Sequence, residues 1–179
     1  MFKAKRSATL SLITIICAAY LADQLYPKFY EYTALFGPLV DSGEYWRLFT
    51  VALVHGGLTH LFFNMFSLLV LGNPVEEALG KARFLVIFFV SLLTGSLASI
   101  YLNSYPHVSV GASGAVFGLF GAFIAMRKMI NEGVRDIYVI VGLNFVFGFV
   151  LGGVDWRAHL GGLVGGYLTT ALLLRITRV

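Results

Sequence analysis

The chain has 179 residues, 58% apolar and only 12% charged, with a mean hydropathy of +0.83. Soluble domains carry about 25% charged and about 45–50% apolar residues, so this chain cannot clothe a water-facing surface and reads as a membrane protein. Its net charge of +4 does not point to nucleic acid, because the basic residues fall in short clusters between apolar runs, the pattern that orients helices in a bilayer.

A spanning helix needs roughly 17–25 mostly apolar residues. The first candidate, 8–26, follows Lys3, Lys5 and Arg6 and contains the only cysteine, Cys17, so no internal disulfide framework is available. It is too long for the apolar region of a signal peptide and no small-x-small cleavage site follows, so a retained span is expected. Residues 27–51 form a long connection holding Trp46, three tyrosines, Asp41, Glu44 and Arg47. Loops beyond about 12–15 residues are usually functional or disordered, and this aromatic, amphipathic content predicts one that dips into the headgroup region. Four of the remaining candidates are 52–72, 82–102, 134–152 and 158–174. Between the third and fifth stands 112–126, which is short and begins inside the membrane if Arg127 marks its inner end. With the N-terminus inside, the inner segments hold ten Lys and Arg and the outer ones only Lys28, Arg47 and Arg157, as the positive-inside rule requires. The expected architecture is an all-α bundle of six transmembrane helices with both termini cytoplasmic, one domain over 1–179 without a separate soluble module or an internal repeat.

Polar side chains inside spans are costly and mark functional sites by default. Four stand out: His60 and Asn64 in the second span, Ser113 in the fourth and His159 in the sixth. At about 1.5 Å per residue, His60 and Asn64 lie about 24 and 18 Å above Glu76, Ser113 about 21 Å above Arg127, and His159 about 24 Å above Arg175. Three helices thus bring polar groups to one depth in the outer half of the membrane. Taken singly, each has a structural reading: a serine bonding a backbone carbonyl, a satisfied histidine, an asparagine joining helices. The combination suits acyl transfer. A serine needs a base to take its proton, and neutral imidazole can do so. Gly111-Ala112-Ser113-Gly114 opens a helix whose unpaired N–H groups and dipole favour an oxyanion, with the Ser113 N–H, Gly111, His60 and Asn64 as candidate stabilisers. Gly114 and Gly118 on one helix, and Gly162 and Gly166 on the other, follow the small-xxx-small pattern of close helix contact. Asp155 lies four residues before His159 but near the outer boundary, so a Ser–His dyad is expected rather than a triad. His-Glu-x-x-His, paired buried aspartates and a Ser–Lys pair are all missing, and His55, His60 and His159 match no zinc spacing.

These residues resemble the rhomboid family, and more narrowly its compact six-helix bacterial members. Trp46-Arg47 looks like the family's Trp-Arg pair; His55, His60 and Asn64 match its second-helix pattern; Gly111-Ala112-Ser113-Gly114 looks like its Gly-x-Ser-Gly motif; and Ala158-His159 with Gly162 and Gly166 matches its sixth helix. Glu76 occupies the place of a structural glutamate. Together the motifs run from about Tyr45 to Gly166. The resemblance implies cofactor-independent, metal-independent hydrolysis of a peptide bond in single-span membrane proteins, within a lipid bilayer and with no nucleic-acid partner. It implies Ser113 and His159 as the dyad, a substrate unwound near its outer end with a small residue before the cut, and the first loop and fifth helix as gating elements. Phe117 stands where some relatives carry a tyrosine packed on the base. The soluble N-terminal domain of some relatives is not expected here, and a short chain without a transit-like leader favours a prokaryotic plasma membrane. Two other readings stay open: a catalytically inactive relative that binds membrane proteins, and a small transporter with an outward polar vestibule.

Overall fold

The computed structural model describes residues 7–26, 28–103, 106–127, 129 and 154–177. The expected fifth span, 134–152, lies outside them. In chain order the elements are α1 (Ala8–Leu25), α2 (Lys28–Thr33), β1 (Leu35–Phe36), α3 (Gly37–Asp41), α4 (Arg47–Thr50), a 3-10 turn (Val51–Leu53), α5 (Leu58–Leu79), α6 (Lys81–Tyr101), β2 (Val108–Ser109), α7 (Ser113–Met126) and α8 (Trp156–Thr177). Among the described residues, α1, α5 and α6 are long and apolar enough to cross a membrane, and α7 is a shorter apolar helix. α8 is 22 residues long, but Arg157, His159 and four glycines dilute its apolar character.

The ends of the first, third and fourth expected spans agree with α1, α6 and α7 to within a residue. The second does not. Residues 52–57 are a 3-10 turn and an extended segment rather than helix, and α5 begins only after Gly56-Gly57. At its other end α5 runs through Pro74 to Leu79. A count of apolar residues registers the run from Val51 to Val54 but not the glycine pair that breaks it, nor a proline that a helix interior accommodates here. His55 therefore precedes the helix instead of riding on it. α8 likewise outruns its expected bounds at both ends, starting two residues early after Asp155 and continuing to Thr177.

α1 and α5 are pinned together at one end by Glu76. Its carboxylate accepts from the Ser7 hydroxyl at 2.9 Å, the Ala8 N–H at 2.7 Å, the Thr9 N–H at 2.9 Å and the Thr9 hydroxyl at 2.8 Å. A carboxylate here satisfies the orphan amides of the first turn of α1 and meets its positive dipole end. Glu76→Ala should lower stability by about 1–2 kcal/mol, as loss of a helix cap does. Unfolding in detergent should show it, with Glu77→Ala, on the exposed side of the same turn, close to wild type.

Gly80, at φ +83°, turns the chain from α5 straight into α6, so the two run antiparallel. α7 is apolar all round and occupies the centre: from Gly114 to Phe123 every residue is buried, as a helix without a polar face must be. α8 packs on α7 and α6 through opposite glycine pairs. A Cβ on Gly162 or Gly166 would overlap the carbonyl oxygen of Gly114 or Gly118, and one on Gly161 or Gly165 would run into Ala98 or Thr94 of α6. Gly162 and Gly166 serve backbone-to-backbone approach to α7, and Gly161 and Gly165 make room for the α6 side chains, the close contact that van der Waals packing between membrane helices rewards.

The first long connection is built rather than loose. Buried Arg47 donates to the carbonyls of Glu31 and Ala34, both at 2.7 Å, and to Glu44 Oε2 at 2.7 Å. Trp46 Nε1 donates to the Tyr32 carbonyl at 3.0 Å while its ring stays exposed, alongside exposed Tyr30, Tyr32 and Tyr45. Aromatic side chains of this kind suit a membrane–water interface. The connection is fastened to the bundle by β1–β2 pairing, by Ser96 Oγ donating to the Leu48 carbonyl at 2.8 Å, and by the Gly111 N–H donating to the Val51 carbonyl at 2.9 Å.

Candidate active site

The last of those bonds leads to the turn that presents Ser113. Gly111 sits at φ +110°, a region costly for residues with a Cβ. A Cβ there would also come within 2.8 Å of His60 Cε1 and 2.9 Å of its Nε2, so the imidazole would have to shift to admit one. The imidazole of His60 is thus laid against the glycine two residues before the serine. His55 packs edge-on against it, with ring centroids 5.1 Å apart, and its Nε2 accepts from the Ala112 N–H at 3.5 Å. Gly56 N–H donates to His60 Nδ1 at 3.4 Å. His55, His60 and Gly56-Gly57 therefore hold the Gly111-Ala112 turn from the α5 side.

Ser113 opens α7, and the first-turn amides of that helix have no carbonyl within it to bond. Asn64, buried one turn below His60, donates from Nδ2 to the His60 carbonyl at 2.9 Å. Its Oδ1 and the Nδ1 of His55 are two of the four buried side-chain polar atoms without a partner among the described residues. Buried polar groups are normally satisfied, so half of the exceptions fall on residues at or just before the start of α5.

On the other side, the ring of Phe117 lies flat against the imidazole of His159, with centroids 4.0 Å apart and planes 12° off parallel. Phe117 is four residues after Ser113 and so shares its helix face. The Ala158 carbonyl would lie 3.6 Å from a Cβ on Gly114 and 2.9 Å from one on Gly95, which in turn would lie 3.2 Å from Gly114 Cα and 3.6 Å from Gly162 N. α6, α7 and α8 thus meet backbone to backbone at the level of Ser113 and His159. A narrow cleft beside the serine is lined by Leu35, Val51, Gly95, Gly111, Gly114 and Ala158 among others. Of the other sequence candidates, Trp46 and Arg47 organise the first connection, Glu76 holds α1, and Gly162 and Gly166 form the α7–α8 contact. Among the described residues, no group of three or more His, Cys, Asp or Glu side chains is arranged to hold a metal ion.

Sequence reasoning passed over one cluster. His107 Nε2 stands 3.0 Å from Asp155 Oδ2, the Ser99 hydroxyl donates to the same oxygen, and Asp155 Oδ1 accepts from the Ala158 N–H at 3.2 Å. Asp155-Trp156-Arg157-Ala158 carries the signal that was available, an aspartate in N-cap position before a helix. The other half, His107 in a short connection, has no local pattern to reveal it. Burial pushes the Asp155 carboxyl up, but hydrogen bonds from Ser99, His107 and the Ala158 N–H outweigh it and leave it below its ordinary value.

These elements define an integral membrane protein with a polar site enclosed by helices, and the chain belongs to the rhomboid family: the family's profile, described as Rhomboid domain, matches residues 42–176. It is 42% identical over 140 residues to the Rhomboid protease GluP of Bacillus subtilis, a match covering 75% of this chain and 27% of that protein. It is 37% identical over 141 residues to the Putative rhomboid protease YdcA of the same organism, covering 76% and 71%. It is also 38% identical over 144 residues to the Inactive RHOMBOID-like protein 8 of Arabidopsis thaliana, covering 76% and 40%.

Proposed function

We propose that this chain is an intramembrane serine endopeptidase, cleaving a peptide bond in or near the transmembrane segment of single-span membrane proteins. Ser113 is the nucleophile and His159 the general base. The observation that carries this reading is the junction of Gly95, Gly114, Ala158 and Gly162, which draws the start of α7 and the first turn of α8 together with the Phe117 ring flat on His159. In the reaction, His159 takes the Ser113 proton as Oγ attacks the scissile carbonyl, then returns it to the leaving amine; water repeats the sequence to release the acyl group. The oxyanion is received by the Ser113 N–H, the second N–H of the Asn64 amide and the His60 ring beside Gly111. Such donors act without reorganising at the moment of reaction. The cleft beside Ser113 is narrow, with Gly95, Gly111, Gly114 and Ala158 among its lining residues, which supports a small residue before the cut.

α7 is 14 residues long, about 21 Å at 1.5 Å per residue, against a hydrocarbon core about 30 Å thick. A central helix of that length, inside six spans with both termini cytoplasmic, would leave its serine end below the outer surface, open to water from that side. We infer a prokaryotic plasma membrane as the location, although plant proteins are among the relatives. The inactive relative at 38% identity favours one second reading, a non-catalytic chain that binds membrane proteins.

Labelling with a fluorophosphonate probe in detergent separates the two without knowledge of a substrate. Wild type should label, and Ser113→Ala and His159→Ala should not. A folded wild type that never labels would favour the non-catalytic reading.

A further inference from the structure

Outside the site described, the cluster that the proposed mechanism leaves unused joins both halves of it. We propose that Asp155 and His107, with Ser99, form a positioning node that sets Ser113 and His159 in register; the proposal rests on the protease reading above. Asp155 uses both carboxylate oxygens, on different elements. Oδ1 caps α8 through the Ala158 N–H, and the Asp155 carbonyl accepts the N–H of His159 itself at 3.2 Å. The carboxylate thus caps the turn that carries His159, while the carbonyl bond is the ordinary one of a helix start. Oδ2 faces away from α8, taking the Ser99 hydroxyl of α6 and His107 Nε2.

His107 stands directly before β2, whose pairing with β1 leads within a few residues to Gly111 and Ser113. Movement of the 107–113 segment or of the first turn of α8 therefore strains the same carboxylate. A helix cap needs only one oxygen, and an asparagine or serine would serve. The second oxygen, spent on a histidine from the serine-bearing connection, is what a merely structural cap would lack.

The node is reachable by solvent. It borders a cavity of about 240 Å³ that Asp41, Tyr101 and Asn103 also line, and the His107 and Asp155 side chains are 27% and 13% exposed. Among the described residues, the charged and titratable groups around Asp155 are His107 in the connection, Asp41 and Tyr101 across the cavity, and His159 and Arg157 on its own helix. Arg157 is drawn aside over the Trp156 ring, 4.6 Å from its centroid. Because the folded Asp155 carboxyl is held below its ordinary value, its stabilisation is present above the unfolded value and is lost as the pH falls through the folded one.

The test measures the fluorophosphonate labelling rate of Ser113, kcat and KM on a single-span substrate in liposomes, and thermal unfolding against pH. His107→Ala and Asp155→Asn should each slow labelling and lower kcat by about tenfold to a hundredfold, the cost of a small misplacement of reacting groups, with KM little changed. The double variant should be no worse than the weaker single one, and His107→Gln, which keeps a donor near Nε2, should recover most of the rate. Asp155→Ala, which also loses the cap, should flatten the acid-side fall in unfolding temperature. Wild-type labelling and kcat in His107→Ala and Asp155→Asn, or losses confined to unfolding temperature or KM, would overturn the node. A wild type that does not label would overturn the protease reading and this role with it.

Discussion

In liposomes carrying a single-span substrate, Ser113→Ala is expected to reduce cleavage to background, a loss of roughly 10⁴–10⁶-fold. His159→Ala should lose as much. A serine without its base is a weak nucleophile, and a base without the serine has nothing to activate, so the double variant should cleave no more slowly than either single one. The two differ in what else they remove. Ser113→Ala deletes one oxygen at the start of a helix and should unfold at the wild-type temperature. His159→Ala also deletes the ring stacked on Phe117, so some stability goes with it and the serine variant is the cleaner comparison. The measurement is the appearance of a cleaved fragment over time at fixed protein-to-lipid ratio. Cleavage persisting in a well-folded Ser113→Ala would remove the dyad from the account, whatever the family suggests.

Much of this site was legible because membrane burial makes polar residues informative. A serine, two histidines and an asparagine expected at one depth in mostly apolar runs have few explanations, and the glycine spacing on the fourth and sixth expected spans foretold which helices touch. What the pattern could not supply was direction. Gly161 and Gly165 look like companions of Gly162 and Gly166 in sequence, yet they face α6 while the other pair faces α7, so α8 is a wedge between two helices rather than a partner of one. Hydropathy also misplaced the start of α5, because the apolar run before Gly56-Gly57 is a 3-10 turn and extended segment packed into the protein core and not part of the helix. The distinction matters to the site: His55, free of the helix, reaches across to the Ala112 N–H, while His60, on the first turn, lies against Gly111. The Asp155–His107 contact was hidden for a different reason. It joins residues 48 positions apart through a loop, and such pairings have no periodicity to betray them.

The wedge carries the second large expectation. Gly162→Ala should cut cleavage by about a hundredfold and lower unfolding stability by about 1–3 kcal/mol, the usual cost of overpacking, and Gly162→Val should leave little folded protein. An added Cβ would overlap the Gly114 carbonyl oxygen and lie 2.7 Å from its carbon. Both are backbone atoms of a helix that is itself enclosed, so no rotamer change relieves the clash. α8 must move off α7 by on the order of 1 Å, and displacements of that size at reacting groups cost about 10²-fold. The movement would open the gap between Ser113 and His159 directly, since Gly114 and Gly162 adjoin them along their helices. Leu168→Ala, on the exposed face of the same helix, removes far more volume and should leave both rate and stability near wild type. Unfolding in detergent and cleavage in liposomes, run on the same preparations, measure the two effects. If Gly162→Ala cleaves and unfolds like wild type, α7 and α8 do not approach as closely as the glycines require, and the base must reach the serine by some other arrangement.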